Sequence, residues 1–165
     1  MHITNDKIKA NQHVMVGLKM KRFSVYCFYD KNGIVGQYVF YYLNALKEIS
    51  DYLFVVINGH IDESYKTKLQ SLANRVAVRE NYGFDAYAFK FALNECKDIL
   101  SEYDELILSN NSFYGPVYPL ENVFKHMERK NQPSANTSNI DFWGITLHPR
   151  FNARINDKQK LPYIN

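Results

Sequence analysis

Residues 23–29 (FSVYCFY) present apolar side chains on both faces of an extended chain, the pattern of a central parallel strand covered by helices on each side. Asp30-Lys31-Asn32-Gly33 then turns the chain, and apolar residues recur at 35, 38, 39, 42, 43, 46 and 49, the progression of one helical face. A second strand is predicted over 53–57 (LFVVI), closed by Asn58-Gly59, with Asp62 placed to cap a helix that buries Tyr65, Leu69 and Leu72. The unit repeats with a weaker apolar run at 75–78, a polar loop at 80–85 containing Gly83, and a helix marked by Phe89, Ala92, Leu93, Cys96, Ile99 and Leu100. The next strand, 105–108, stops at Ser109-Asn110-Asn111-Ser112, and Pro119 suits the first turn of a helix whose Leu120, Val123, Phe124 and Met127 face inward. Residues 131–139 (NQPSANTSN) lack any period and read as loop, and 141–146 (DFWGIT) read as a last strand.

Strands alternating with helices specify right-handed crossovers, so these periodicities predict an α/β fold: a mostly parallel sheet with helices on both faces. Its core strands are expected near residues 23–29, 53–57, 75–79, 105–109 and 141–146. Ligands bind such sheets at the carboxyl ends of the strands. The polar segments at those ends are Tyr29-Asp30, Asn58-Gly59, residues 80–85 and residues 110–115, and they form the candidate site.

Length and composition narrow the picture further. A chain of 165 residues is about one domain at the usual ~150 residues each, with 46% hydrophobic and 22% charged residues, which excludes disordered and fibrous classes. The net charge of +3 is too small for a protein that grips a phosphate backbone, so no nucleic-acid partner is expected. Residues 1–22 hold Lys7, Lys9, Lys19, Lys21 and Arg22 against Asp6 and read as a basic N-terminal tail, solvated or lying against an anionic membrane face or a partner; residues 23–165 read as the folded domain. No apolar stretch reaches the ~18 residues of a transmembrane helix, and the expected location is cytoplasmic. Cys27 and Cys96 fall on apolar faces and read as buried thiols without chemistry, and His2, His13, His60, His126 and His148 have no zinc-site spacing.

Two of the polar segments invite a functional reading beside a plainer one. Gly83 would let the backbone approach a ligand and offer N–H groups to a phosphate, with Asp85 on a sugar hydroxyl; alternatively the segment is a strand-to-helix turn with Asp85 as its N-cap. Asn110-Asn111-Ser112 would hold a diphosphate or a sugar; alternatively it is an Asx turn.

Six segments, in this order, carry a resemblance: Val25-Tyr26-Cys27-Phe28-Tyr29-Asp30 with Gly33 and Tyr38-Val39; Val55-Val56-Ile57-Asn58-Gly59; Arg79-Glu80-Asn81-Tyr82-Gly83-Phe84-Asp85; Tyr103-Asp104-Glu105; residues 112–120 (SFYGPVYPL); and residues 141–146 (DFWGIT). Together they resemble the rhamnan synthesis protein F family, bacterial proteins of cell-wall polysaccharide and O-antigen (lipopolysaccharide) synthesis that look like nucleotide-sugar glycosyltransferases of the GT-A type. The resemblance implies a glycosyltransferase moving a sugar from a nucleoside diphosphate donor, such as dTDP-L-rhamnose, to a glycan or lipid-linked glycan acceptor at the inner face of the membrane, beside other polysaccharide-synthesis proteins. It places Tyr29, Asp30, Asn58, Asn81, Gly83, Asp85, Asn110, Asn111 and Ser112 around the donor and assigns no catalytic residue. Mg or Mn would accompany the donor diphosphate. The family usually carries Asn-Asp-Ser where this chain has Asn110-Asn111-Ser112, so the usual metal-binding carboxylate is replaced by Asn111. It tends to carry Phe-Gly-Ala-Trp where Ala86-Tyr87-Ala88-Phe89 stands, and it continues past the position of Asn165, which implies a domain truncated on its acceptor side and leaves activity open. The alternative is a non-catalytic sugar-nucleotide or glycan binding module, or a degenerate partner subunit.

Overall fold

The computed structural model describes residues 20–112, 114–130 and 140–145. The chain divides into two compact units, Met1–Glu121 and Asn122–Asn165. The first contains a four-stranded sheet. Its strands are β1 (Arg22–Tyr29), β2 (Tyr52–Asn58), β3 (Arg75–Arg79) and β4 (Glu105–Asn110), in the spatial order β3-β2-β1-β4, with every pair parallel. The helices α1 (Gln37–Ile49), α2 (Glu63–Leu72), α3 (Phe84–Glu95) and α4 (Leu120–Lys130) follow the four strands in turn, so the expected α/β architecture is present.

β1 lies at the centre because its residues are apolar on both faces. Phe23, Val25 and Cys27 pack against Ala88, Ala92 and Cys96 on the α3 side, with Phe54 and Val56 of β2 beside them. Tyr26 points to the opposite face, where its ring meets Tyr42 of α1. Each completely buried core side chain of this size stabilises the fold by roughly 1.5–3 kcal/mol, and seven consecutive buried residues in β1 make it the strand least replaceable by a polar sequence. Its buried first residue, Arg22, pairs through Nε with Glu105 at 2.7 Å, so β1 opens one residue before the predicted start, inside the segment read as tail. Residues 1–19 of that tail lie outside the described residues.

Asp62 caps α2 as its position predicted, accepting from the backbone N–H of Ser64 at 2.8 Å. Helix α3 ends at Glu95, earlier than its apolar spacing suggested: Ile99 and Leu100 sit in a turn and a short 3-10 segment, still packed against the core. The fifth strand expected at 141–146 is a correction, since residues 140–145 form no strand and residue 146 lies outside the described residues. Its aromatic content serves a different contact. Within the second unit Trp143 meets Phe124 edge-on, the ring centroids 4.9 Å apart, while Phe142 is exposed. Residues 131–139 also lie outside the described residues.

The strand order reverses between β1 and β4. β2 and β3 extend the sheet to one side of β1, and the chain then crosses to add β4 on the other. In open parallel sheets this reversal opens a crevice beyond the carboxyl ends of the two strands, where ligands bind. Here those ends are Tyr29-Asp30 and Asn110-Asn111.

Candidate functional site

The register puts Cys27, Tyr29, Asn58, Arg79 and Asn110 on the same face of the sheet, because parallel neighbours point their side chains the same way. This is the face covered by α3, whose first residues arrive over the carboxyl edge. The polar side chains there bond in one continuous run across all four strands. Arg79 donates from Nη1 to Asn58 Oδ1 (2.6 Å), and Asn58 Nδ2 contacts the Cys27 sulfur (3.4 Å) and the Phe84 carbonyl (3.3 Å). The Cys27 thiol donates to Asp85 Oδ1 (3.6 Å), Asp85 Oδ2 accepts from Asn110 Nδ2, and Asn110 Oδ1 accepts from both the backbone N–H (3.1 Å) and hydroxyl (2.6 Å) of Ser112. Arg79 is further tied through Nη2 to the Tyr82 carbonyl at 2.7 Å.

Burial first, and then the neighbouring Asp85 carboxylate as a charge and as the acceptor of its hydrogen bond, push the Cys27 thiol up to about 12 against the lowering effect of Arg79. At neutral pH Cys27 is therefore a protonated donor locked into the run. Both cysteines are free and buried, as their apolar surroundings suggested. The thiol at 27 nevertheless carries a structural bond that its place in an apolar run did not advertise.

Asp85 is not an N-cap. Gly83 occupies that position in the left-handed region (φ 68°), Phe84 follows as the first helical residue, and Asp85 is the second, free to reach across to β1 and β4. A side chain on Gly83 would run into the Tyr87 ring, 2.2 Å from an ideal Cβ, so the space beside this glycine is filled by the protein's own aromatic. Tyr87 in turn meets Tyr82 edge-on at 4.8 Å. Ala88 is fully buried and Phe89 packs on the core, so the inner face of the helix start is apolar.

Adjacent asparagines at the end of β4 have separate tasks. Asn110 makes an Asx turn with Ser112 and also holds Asp85. Asn111 turns to β1, where its amide accepts from the Tyr29 N–H (3.2 Å) and donates to the Tyr29 carbonyl (2.9 Å). Its own N–H bonds the Cys27 carbonyl at 3.2 Å, and its carbonyl receives the Tyr38 hydroxyl at 3.4 Å. Asp30 stays local: its carboxylate accepts from the N–H groups of Ile34 (3.0 Å) and Asn32 (2.8 Å), which hold it below the usual carboxylate range. Asn81 lies near the end of β2, its Cβ 3.9 Å from where a Gly59 side chain would start, and the Tyr29 ring is 3.7 Å from the same point.

The structure thus brings Asn58, Asp85, Asn110 and Ser112 into one network, pairs Tyr29 with Asn111, sets Asn81 beside Gly59 and leaves Asp30 in its own loop. It adds Arg79 and Cys27, which the sequence had not singled out. A charged residue closing a strand beside one that ends in Asn58 was the available signal for Arg79. Outside the network, exposed aromatic surface surrounds the edge at Tyr29, Tyr82, Phe84 and Tyr114.

An octahedral Mg²⁺ or Mn²⁺ ordinarily takes one or two protein carboxylates. Asn111 is committed to the Tyr29 backbone, Asp30 to its own loop, and Asp85 to Cys27 and Asn110. Among the described residues no three His, Cys, Asp or Glu side chains group so that they could hold a metal ion. This donor set does not fit a carboxylate-bound divalent cation. No helix among the described residues is long and apolar enough to cross a membrane.

A family model described as rhamnan synthesis protein F matches residues 53–162, more than half of the chain, beginning within β2 and leaving β1 and α1 outside the matched span. No curated protein and no solved structure matches.

Proposed function

Because the chain belongs to the rhamnan synthesis protein F family and so to the proteins of rhamnan and polysaccharide synthesis, we propose that it binds a nucleoside diphosphate sugar at the carboxyl edge of its sheet and transfers the sugar to a glycan acceptor. The observation that supports this reading is the hydrogen-bonded run from Arg79 to Ser112, which lies beneath the point where the strand order reverses and carries exposed aromatic rings at its border. Polar groups fixed in advance by one another cost little reorganisation when a charged ligand arrives.

In such a transfer an acceptor hydroxyl attacks the anomeric carbon, the bond from that carbon to the diphosphate oxygen breaks, and the nucleoside diphosphate leaves with the negative charge. The chain's contribution would be to hold and orient the donor. Tyr29 and Asn81 border the edge beside Gly59, the first N–H groups of α3 offer donors to the diphosphate, and Asp85 is an acceptor for sugar hydroxyls. No step runs through a metal. The donor would be dTDP-L-rhamnose, the sugar that the family's name favours, and the acceptor a glycan or lipid-linked glycan.

The test is calorimetric titration with dTDP and UDP, followed by an assay for dTDP release from dTDP-L-rhamnose in the presence of a rhamnose-containing oligosaccharide. Binding with acceptor-dependent release supports transfer, and absence of nucleotide binding overturns the reading. A second reading, a non-catalytic module for the same ligand, is favoured by the commitment of Asn111, Asp30 and Asp85 to partners within the chain. Binding without release would select it.

A further inference from the structure

Phe84 combines two features that each disfavour the folded state. Its φ is +53°, a backbone region in which a bulky residue other than glycine is a true outlier. Its ring is 79% exposed and pairs with no other ring among the described residues, so packing gives nothing back for the strained backbone. The conformation is nonetheless held from both sides. The Phe84 carbonyl accepts from Asn58, a side chain only 1% exposed and itself fixed by Arg79, and the next residue, Asp85, is bonded to β1 and β4. A strained residue persists only where its surroundings over-determine it, and such residues cluster where a ligand is held.

From this geometry, and resting on the donor reading above, we infer that Phe84 is a ligand-binding residue whose ring stacks on the pyrimidine base of the nucleoside diphosphate. The ring stands at the start of α3, on the sheet face that carries the polar run, with Tyr29 and Tyr82 as the other exposed aromatics around the same edge. A flat aromatic base is the part of such a donor that gains from an uncovered phenyl face. A pyrophosphate group gains nothing from it, and this difference separates the roles. The base therefore lies on the α3 side of the edge, away from Asp30, whose carboxylate is occupied within its own loop.

The experiment compares the parent chain with Phe84→Gly and Phe84→Trp, measuring affinity for dTDP and for inorganic pyrophosphate by calorimetry and the urea midpoint of each protein. Phe84→Gly should raise the urea midpoint, because glycine accepts a positive φ, while weakening dTDP about tenfold and leaving pyrophosphate unchanged. Phe84→Trp should retain dTDP affinity. Equal dTDP affinity in the parent and Phe84→Gly overturns the inference, and so does parallel weakening of dTDP and pyrophosphate, which would place the defect at the phosphates. A lower midpoint for Phe84→Gly would show that the ring packs and that its role is structural. Failure of the parent to bind dTDP overturns the donor reading and this inference together, whereas the first three outcomes strike the inference alone.

Discussion

Replacing Asn58 by Leu tests whether the polar run is held together by its buried member. Asn58 is nearly isosteric with Leu, so the change removes hydrogen bonds with little change in volume. Three contacts disappear: the charged bond from Arg79, the bond to the Phe84 carbonyl and the weak contact with the Cys27 sulfur. A hydrogen bond to a charged group contributes about 1.5–3 kcal/mol net and a neutral one about 0.5–1.5 kcal/mol. Arg79 is partly exposed and keeps its bond to the Tyr82 carbonyl, so water recovers part of its loss and the low end of the first range applies. The sulfur contact adds little. The expected destabilisation is therefore about 2–3 kcal/mol, readable by urea denaturation, with a fall in Tm of roughly 4–12 °C for a chain of this size. Arg79→Met and the double variant complete a cycle whose coupling should be about 1–2 kcal/mol, in the range found for residues sharing one network. A loss below about 1 kcal/mol, or a coupling near zero, would refute the claim that the carboxyl edge is held by Asn58.

Three further outcomes are expected. Native Cys27 should resist a thiol reagent at pH 8 and react only on unfolding; because its folded pKa is raised, the stability it contributes is complete below the ordinary thiol value and is lost as pH climbs towards about 12, so rapid native-state labelling would contradict its burial and its bond to Asp85. Asn111→Asp removes the donor to the Tyr29 carbonyl and sets a carboxylate against it, so the variant should lose about 1 kcal/mol in urea denaturation and dTDP affinity should remain the same with Mn²⁺ or EDTA; a new Mn²⁺ requirement would show the loop to be a metal site after all. Asp30 has a depressed folded pKa, so its contribution is present above the ordinary carboxylate range and lost as pH falls through the folded value; Asp30→Asn should make the acid limb of the stability profile shallower below about pH 4, and an unchanged limb would discount the loop bonds.

The sheet was legible because each of its four strands ends at turn residues and because the helical runs between them repeat every three or four positions. The same logic misassigned 141–146, whose short apolar run reads as a strand although Trp143 is used against Phe124. At the edge, the parallel rule found the right loops without finding what their side chains do. Asn110 and Asn111 are chemically identical neighbours with opposite commitments, one to α3 and one to β1, and only the register decides which is which. Cys27 read as core because its neighbours in sequence are apolar, while its hydrogen-bond partner comes from 58 residues away. Gly83 was read for close backbone approach or as part of a turn capped by Asp85, and nothing in the letters Phe84-Asp85 announced that a positive φ would extend into the phenylalanine.

The amide of Asn111 does for Tyr29 what a peptide group of a neighbouring strand would do, giving an acceptor to its N–H and a donor to its carbonyl. Strand termini ordinarily surrender their amide protons to deuterium first, since the last rung of a ladder opens without disturbing the others. Tyr29 ends β1, yet a side chain anchored by its own backbone bond to Cys27 supplies that rung. Its proton should consequently exchange at the pace of the sheet interior, making the last residue of this strand isotopically indistinguishable from one in its middle.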